Sequence, residues 1–417
     1  MNVNTMRAVD RWAGIPLCFL FTLVRRIFGR RGERVRPKRI LFLELSEMGS
    51  AILADPAMRK AQSRFDAELY FVIFKKNAPS LGLLGTVPAA NIRTIRESGL
   101  FILAWDVLGF MLWARRRKID TAVDFELFSR FSTLLGALSG AANRTGFYRF
   151  HNEGCYRGEL LTHRVAYNPH IHIAKNFVAL INALLASAPE VPYSKSVVGD
   201  DEITIPRVLP GDHETQQMRD RIRALHAGYD AEKTKLVLLN PNASELLPHR
   251  RWPPEHYARL AQDILNRWPE ALVLITGAPS ESAEAEALRA RVAGDRIVNF
   301  TGRTQLDELP LLYSLASLMV SNDSGPGHFA AASDMPTIVL FGPETPALYK
   351  PLGNTLAITA GLACSPCVSA ANHRRTACTN AVCMTAIHPD RVLAAVAKVL
   401  DEGVLAEGEV DRTTGIQ

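Results

Sequence analysis

A chain of 417 residues, 47% hydrophobic and 22% charged with mean hydropathy of +0.02, excludes both a disordered chain and a multispanning membrane protein. It is too long for one hydrophobic core, so two domains of about 180 to 200 residues are expected. The net charge of +6 is concentrated at the start: Arg7, Arg11, Arg25, Arg26, Arg30, Arg31, Arg34, Arg36, Lys38 and Arg39 stand against only Asp10 and Glu33, leaving the remainder slightly acidic.

Residues 1–38 form a basic arm around the apolar run GIPLCFLFTLV (14–24). Charge alone would suit nucleic acid, but charge fused to an apolar run suits an anionic membrane surface, and no nucleic-acid partner is expected. Eleven residues fall short of the roughly 20 that a spanning helix needs, and no small-residue cleavage site precedes the arginines. The arm is therefore expected to lie on the membrane, with its C-terminal arginines keeping the body cytoplasmic and peripheral to the inner face. The alternative is a helix packed on the N-terminal domain with its arginines solvated.

From Arg39 onward, short apolar runs alternate with helical periodicity, the pattern of parallel α/β units. RILFLEL (39–45), ELYFVIF (68–74), TAVDF (121–125) and RTGFY (144–148) read as strands. Helices are expected through Arg64 and near 100–116, 127–139 and 172–187, giving an N-terminal Rossmann-like domain over 39–190. A polar, Pro-containing linker spans 191–233.

A second series fills 234–417, with strands at KLVLLNP (235–241), ALVLIT (271–276), RIVNF (296–300), SLMVSN (317–322) and PTIVLFG (336–342). Helices are expected near 254–267, 281–292, 306–315 and 326–333. Ligands of open α/β sheets bind beyond the carboxyl ends of strands.

The segment SLMVSNDSGPGHFAAAS (317–333) runs an apolar strand straight into Asp323, Ser324, Gly325, Pro326 and Gly327, then a small-residue helix. Free amides and a positive helix end suit a diphosphate. Gly325 and Gly327 would admit a close backbone approach, Ser324 a hydroxyl donor, and Asp323 and His328 directional contacts. The alternative is a strand-to-helix cap, with Asp323 or Ser324 as N-cap.

NDSGPGHFAAA, the preceding GRTQLDELPLLYSLASLMVS, the following PTIVLFGPETP, and NPNAS with RRWPPEHYARL together resemble glycosyltransferase family 9, the heptosyltransferase-like enzymes, over about 39–400. The resemblance implies an α/β GT-B fold, with two Rossmann-like domains facing a central cleft. It also implies a nucleotide-sugar donor (ADP-heptose in the best-known members), inversion at the anomeric carbon, and no cofactor or metal required for catalysis. By resemblance, Asp323, Ser324, Gly325 and His328 match the donor diphosphate loop, and Ser244 a hydroxyl near the phosphates. Arg250 matches a basic position before Trp252-Pro253, where a guanidinium fork would neutralise the leaving diphosphate. Glu281 matches a carboxylate that would hold the ribose. Arg250 with Arg251 could equally be a solvated loop, and Glu281 a first-turn carboxylate favoured by the helix end.

In the family's first strand-turn-helix, a Ser-x-x-Gly-Asp pattern supplies the general base, whereas this chain has Ser46-Glu47-Met48-Gly49-Ser50. Serine is too weakly basic for work typically worth about 10² to 10⁴ in rate. Ser50 is therefore assigned to acceptor binding. Glu47, Asp55 and Glu44 are the candidate replacements: Glu47 is preferred because it follows the strand, Glu44 would be costly to ionise in a buried strand, and Asp55 precedes Pro56. Glu47 could also be an exposed turn carboxylate.

GFYRFHNEGCYRGELLTHRVAYNPHIH (146–172) concentrates aromatics and arginines. Arg149, Arg157 and Arg164 are candidate contacts to a glycan or lipid-linked acceptor, and the histidines lack ligand spacing. Cys364, Cys367, Cys378 and Cys383, with His373 and His388 nearby, could close a structural zinc site or hold an iron–sulfur cluster, or remain free thiols. Together these features lead to an inverting glycosyltransferase. A non-catalytic nucleotide-sugar or glycan-binding protein that lost its base, and a sugar-nucleotide epimerase, are the competing readings.

Overall fold

The computed structural model describes residues 3–28, 35–151, 154–244, 247–370, 372 and 374–405. Arg30, Arg31, Glu33, Arg34 and His373 lie outside the described residues. The chain divides into two compact units between Thr204 and Ile205.

The first unit carries β1 (Arg39–Leu43), β2 (Glu68–Phe74), β3 (Ile92–Ile95), β4 (Thr121–Asp124), β5 (Asn143–Phe147) and β6 (His163–Val165). They form one parallel sheet in the order β3-β2-β1-β4-β5-β6. The second unit carries β7 (Lys235–Asn240), β8 (Ala271–Ile275), β9 (Ile297–Asn299), β10 (Leu318–Asn322), β11 (Thr337–Phe341) and β12 (Thr355–Thr359). Its sheet is also parallel, in the order β12-β11-β10-β7-β8-β9. Each unit thus repeats one scheme: the first strand is central, the next two walk outward, and the chain crosses back to place the fourth beside the first. That reversal makes a crevice at the carboxyl ends of β1/β4 and of β7/β10.

The inner strands are legible because helices cover both faces, so ILFL, LVLL and TIVLF are buried without alternation. The strands β3, β6 and β12 were not anticipated. All three are sheet edges of three to five residues, too short and too mixed in polarity to announce themselves. Within 191–233 lies the helix Asp212–Leu225, which packs on the helix Leu309–Leu315, while Arg221 forks onto Glu308 at 2.9 Å with both nitrogens.

The arm forms two helices, Val3–Trp12 and Gly14–Phe28, packed on the helix Arg130–Leu138. Asp10 Oδ1 accepts from the backbone N–H of Arg130 (2.9 Å) and Phe131 (3.0 Å), and Oδ2 pairs with Arg130 Nη1 at 2.8 Å. The arm's carboxylate therefore satisfies orphan donors at that helix's start. Close approach to Gly158, whose φ is +67°, seats the second arm helix: a Cβ there would meet Thr22 Oγ1 at 2.5 Å and the Cys18 carbonyl at 2.7 Å. The packed arrangement weighed for the arm is thus present, while Trp12, Phe19, Ile27 and Phe28 stay exposed. Among the described residues no helix is long and apolar enough to cross a membrane.

Candidate functional site

In the second unit the chemistry gathers where β7, β8 and β10, neighbours in the sheet, reach their carboxyl ends. All five residues of β10 are buried, and the backbone passes through Asp323 and Ser324 into the short helix Gly325–Ala330. Ser324 occupies the N-cap position but does not cap: its hydroxyl donates to the Asn322 carbonyl at 3.2 Å and lies 3.3 Å from Ser321 Oγ. Asp323 stands one residue before that cap. Its carboxylate, 3% exposed, pairs with Arg250 Nη1 at 3.5 Å.

Arg250 is 9% exposed, which removes the solvated-loop alternative for it. Its Nε is buried and, among the described residues, has no hydrogen-bond partner. Asn242 Nδ2, on the loop after β7, is in the same position. Buried donors left unmet are costly, so each would be stabilised by an acceptor of its own.

Asn322, unnoticed in the sequence, ties the site together. Its Oδ1 accepts from the Trp252 backbone N–H (3.1 Å) and from Tyr257 Oη (3.2 Å), while Nδ2 donates to the carbonyls of Pro241 (2.8 Å) and Asn242 (3.3 Å). One fully buried amide thereby fixes the loop after β7 and the segment carrying Arg250 against the end of β10. Trp252 is locked in turn by its indole N–H on the Ile387 carbonyl at 2.8 Å.

Of the other donor candidates, Ser244 is exposed on the loop after β7 and His328 is buried within the short helix. Glu281 is half-buried after β8, where Oε2 accepts the Ala278 N–H at 2.7 Å; the first-turn role weighed for it is present. Gly325 and Gly327 have packing reasons. A Cβ on Gly325 would meet the Phe329 ring at 3.3 Å, and one on Gly327 would meet Pro351 at 3.2 Å and Val339 at 3.3 Å. The short helix lies that close to β11 because residue 327 has no side chain.

In the first unit, the turn Ser46–Ser50 leaves β1 beside the end of β4. Glu126, two residues beyond β4 and 9% exposed, reaches across: Oε1 accepts from the N–H of Leu45 (2.8 Å), the N–H of Ser46 (3.0 Å) and Ser46 Oγ (2.7 Å). Asn77 Nδ2 donates to the Leu45 carbonyl at 2.8 Å from the β2 side. Burial pushes the Glu126 carboxyl above the ordinary range; the Ser46 and Leu45 donors pull it down, and the charges of Asp124 and Glu47 raise it again. Glu47, half-buried, is the N-cap residue of the helix Met48–Leu53 without capping through its side chain, and Ser50 is half-buried within that helix. Glu44 is buried, 4% exposed, as the costly-ionisation argument anticipated.

Two candidates are corrected. Asp55 is fully buried: Oδ2 pairs with Arg59 Nε at 2.7 Å and Oδ1 accepts from Thr86 Oγ1, so both oxygens are engaged inside the fold. Arg157 is 3% exposed, ion-paired with Asp124, donating also to Thr133 Oγ1 and to the Phe147 carbonyl at 3.0 Å. It is a core cation; breaking such a pair costs about 3–5 kcal/mol. Burial raises the Asp124 pKa while Arg157, first among its partners, lowers it. Arg149 is exposed, and Arg164 lies over the Tyr148 ring at 4.4 Å, so these two keep a surface that an acceptor could reach.

Among the described residues no three His, Cys, Asp or Glu side chains stand where they could hold a metal ion. The arrangement therefore gives no support to zinc or an iron–sulfur cluster at the four cysteines. Their thiols nonetheless differ. Burial first, then the charges of Cys367, Cys378 and Cys364, push Cys383 up to about 11, whereas backbone N–H groups, Asn380 first, draw Cys378 below its usual value. His388 is exposed and faces Asp390 at 3.1 Å.

The description of glycosyltransferase family 9 (heptosyltransferase) matches residues 132–377, more than half of the chain. The chain belongs to that family. Within family 9, it is 36% identical over 113 residues to lipopolysaccharide heptosyltransferase 2 of Salmonella typhimurium, covering 27% of this chain and 32% of that one. The match thus spans about a third of that relative's length. Over longer stretches the likeness is one of fold. The structure of Escherichia coli ADP-heptose LPS heptosyltransferase II superposes with a TM-score of 0.64 at 21% identity, covering 88% of this chain and 100% of that one. The glycosyl transferase family 9 structure from Veillonella parvula gives 0.64 at 17% identity, covering 89% and 100%. These relatives and the two parallel sheets make the fold α/β of the GT-B class.

Proposed function

We propose that the protein is an inverting glycosyltransferase that moves a heptose-like sugar from a nucleoside diphosphate, ADP-heptose or a near analogue, to a lipopolysaccharide-type or other lipid-linked glycan acceptor. The observation that carries this reading is the buried Arg250–Asp323 pair at the β7/β10 crevice. A guanidinium held in low dielectric is suited to the charge that builds on a departing diphosphate, and stabilisation there acts mainly in the transition state. Asp323 orients it, the Gly325–Ala330 turn offers backbone amides, and Ser244, Ser324 and His328 supply polar contacts. Glu281 serves the ribose.

On the first unit, Glu47 takes the proton from the acceptor hydroxyl as that oxygen forms its bond to the anomeric carbon; the bond from that carbon to the diphosphate oxygen breaks on the opposite face. The diphosphate leaves with the electron pair. Ser50 takes the place of an acid in the turn and contacts the acceptor, together with Arg149 and Arg164. Arg250 supplies the positive charge for this leaving group, so transfer is expected to survive chelation by EDTA. The arm places the enzyme at the inner face of the cytoplasmic membrane, near its acceptor.

The test is transfer of labelled sugar from ADP-heptose to deacylated lipopolysaccharide core by the full chain, compared with Glu47→Gln. Donor binding without transfer to any acceptor would support the non-catalytic reading instead, and interconversion of free nucleotide sugars would support an epimerase.

A further inference from the structure

The helix Leu100–Arg116 is apolar on both sides. Inward, Phe110 and Ala114 are fully buried, and Asp106 is tied to the N–H, Nε and Nη2 of Arg96 at 2.7 to 3.0 Å. Outward, Phe101 is 94% exposed, Trp105 72%, and Leu108 and Leu112 56% each. Steps of four, three and four residues place those four on one helical stripe. On the arm helix Gly14–Phe28, Phe19, Leu23 and Ile27 are likewise exposed at steps of four.

The two stripes belong to one layer. The crossovers from β3 to β4 and from β4 to β5 run in the same direction across the sheet, so right-handed connections put the helices Leu100–Arg116 and Arg130–Leu138 on the same face. The arm helices pack on Arg130–Leu138, and Met6 joins the apolar cluster that also holds Leu103, Val107 and Phe131. The helix Leu100–Arg116 ends in the exposed cationic run Arg115, Arg116, Arg117 and Lys118, whereas on the arm Arg25 donates to the Glu159 and Leu160 carbonyls and Arg26 pairs with Glu159 at 2.7 Å.

Apolar surface of this extent marks an interaction site, and the exposed cations Arg115 to Lys118 select a negatively charged partner. Seventeen residues, with Asp106 bound on the inner side, cannot cross a bilayer. We infer that the helix Leu100–Arg116, beside the arm, is a monotopic docking face for an anionic phospholipid bilayer. Phe101, Trp105, Leu108 and Leu112 enter the acyl boundary, and Arg115 to Lys118 meet headgroup phosphates. This deepens the membrane contact proposed for the arm and assigns a second, distant segment to it.

Flotation of the full chain with phosphatidylglycerol or phosphatidylcholine vesicles tests the assignment. The wild-type protein should float with the former, weakly with the latter, and be partly released by about 0.5 M salt. Phe101→Ser with Trp105→Ser and Leu108→Ser, leaving the arm intact, should lower partitioning by about tenfold. Arg115→Gln with Arg116→Gln and Arg117→Gln should remove the preference for anionic lipid. Thermal melting checks that the variants fold, with Trp105→Ser alone as the milder substitute.

Partitioning of the triple serine variant equal to wild type, or wild type bound to neither vesicle, overturns the proposal. So does self-association that the variant abolishes without any vesicle binding, which would make the face a contact between two copies. Transfer to a water-soluble acceptor, measured on the same proteins, should be unchanged by the serine substitutions. It reports on the transferase reading independently of flotation.

Discussion

The hydroxyl of Ser46 donates to Glu126 Oε1 at 2.7 Å, joining the turn after β1 to the turn after β4. The same oxygen receives two backbone N–H groups, so the segment that leads into Glu47 and Ser50 is held by a buried carboxyl group from the turn after β4.

Glutamine at position 126 keeps an oxygen acceptor, whereas alanine strands two backbone donors. Glu126→Gln should therefore preserve most transfer activity, while Glu126→Ala should lose stability by about 1–3 kcal/mol and activity with it. Glu47→Gln should lower kcat by about 10² to 10⁴ with little change in donor KM. Equal kinetics for Glu47→Gln and wild type would remove Glu47 from the base role.

The raised pKa of Glu126 has a pH signature. In the unfolded chain the carboxyl ionises near the ordinary value of about 4.3; in the fold it holds its proton to higher pH. Between those two values the unfolded state binds fewer protons, so this group's contribution to stability declines as pH rises through that window. Glu126→Gln removes the decline. Its Tm relative to wild type should accordingly climb from pH 4 to pH 8, and a difference independent of pH would contradict the assignment.

Replacing Arg250 by Ala should reduce kcat by about 10² to 10³, because charge on the leaving diphosphate loses its partner and the buried Asp323 loses this ion pair. Arg250→Lys should recover part of this loss, since ammonium keeps the charge without the fork. Isothermal titration with ADP separates ground-state binding from the effect on turnover.

The cysteine pKa shifts order the reactivity of the thiols. Brief treatment with iodoacetamide near pH 8, followed by peptide mass mapping, should find Cys378 alkylated before Cys383. The reverse order would show that the 364–383 segment adopts another arrangement in solution.

The seating of the arm can be tested at Gly158. Alanine there meets both a positive φ and the Cys18 carbonyl, so Gly158→Ala should destabilise the first unit by about 1–3 kcal/mol and speed proteolysis of residues 3–28. Unchanged proteolysis would show that the second arm helix does not depend on that close approach.

How much of this was legible follows from where the information resides. The strand-to-helix turn after β10 could be read because an apolar run passes directly into DSGPGH, a local pattern, and the inner strands because burial on both faces leaves no polar alternation. Glu126 escaped because its importance depends on β4 lying beside β1, which no residue nearby announces; applying the strand-end rule to TAVDF as well as to β10 would have raised it. Arg157 was placed with the acceptor for the same reason. Its partner Asp124 is 33 residues away, on a strand whose neighbours only the sheet order reveals. Asn322 sat inside the motif, yet its work is to hold other loops.

That last amide bears on how a ligand would be met. Because Asn322 clamps Pro241, Asn242 and the Trp252 segment, little of that chain would have to be ordered on binding a nucleotide. The entropic penalty of docking is settled during folding. Capture by the second unit should then be rapid and accompanied by only a small heat-capacity change, with selectivity residing in rigid shape and fixed charge.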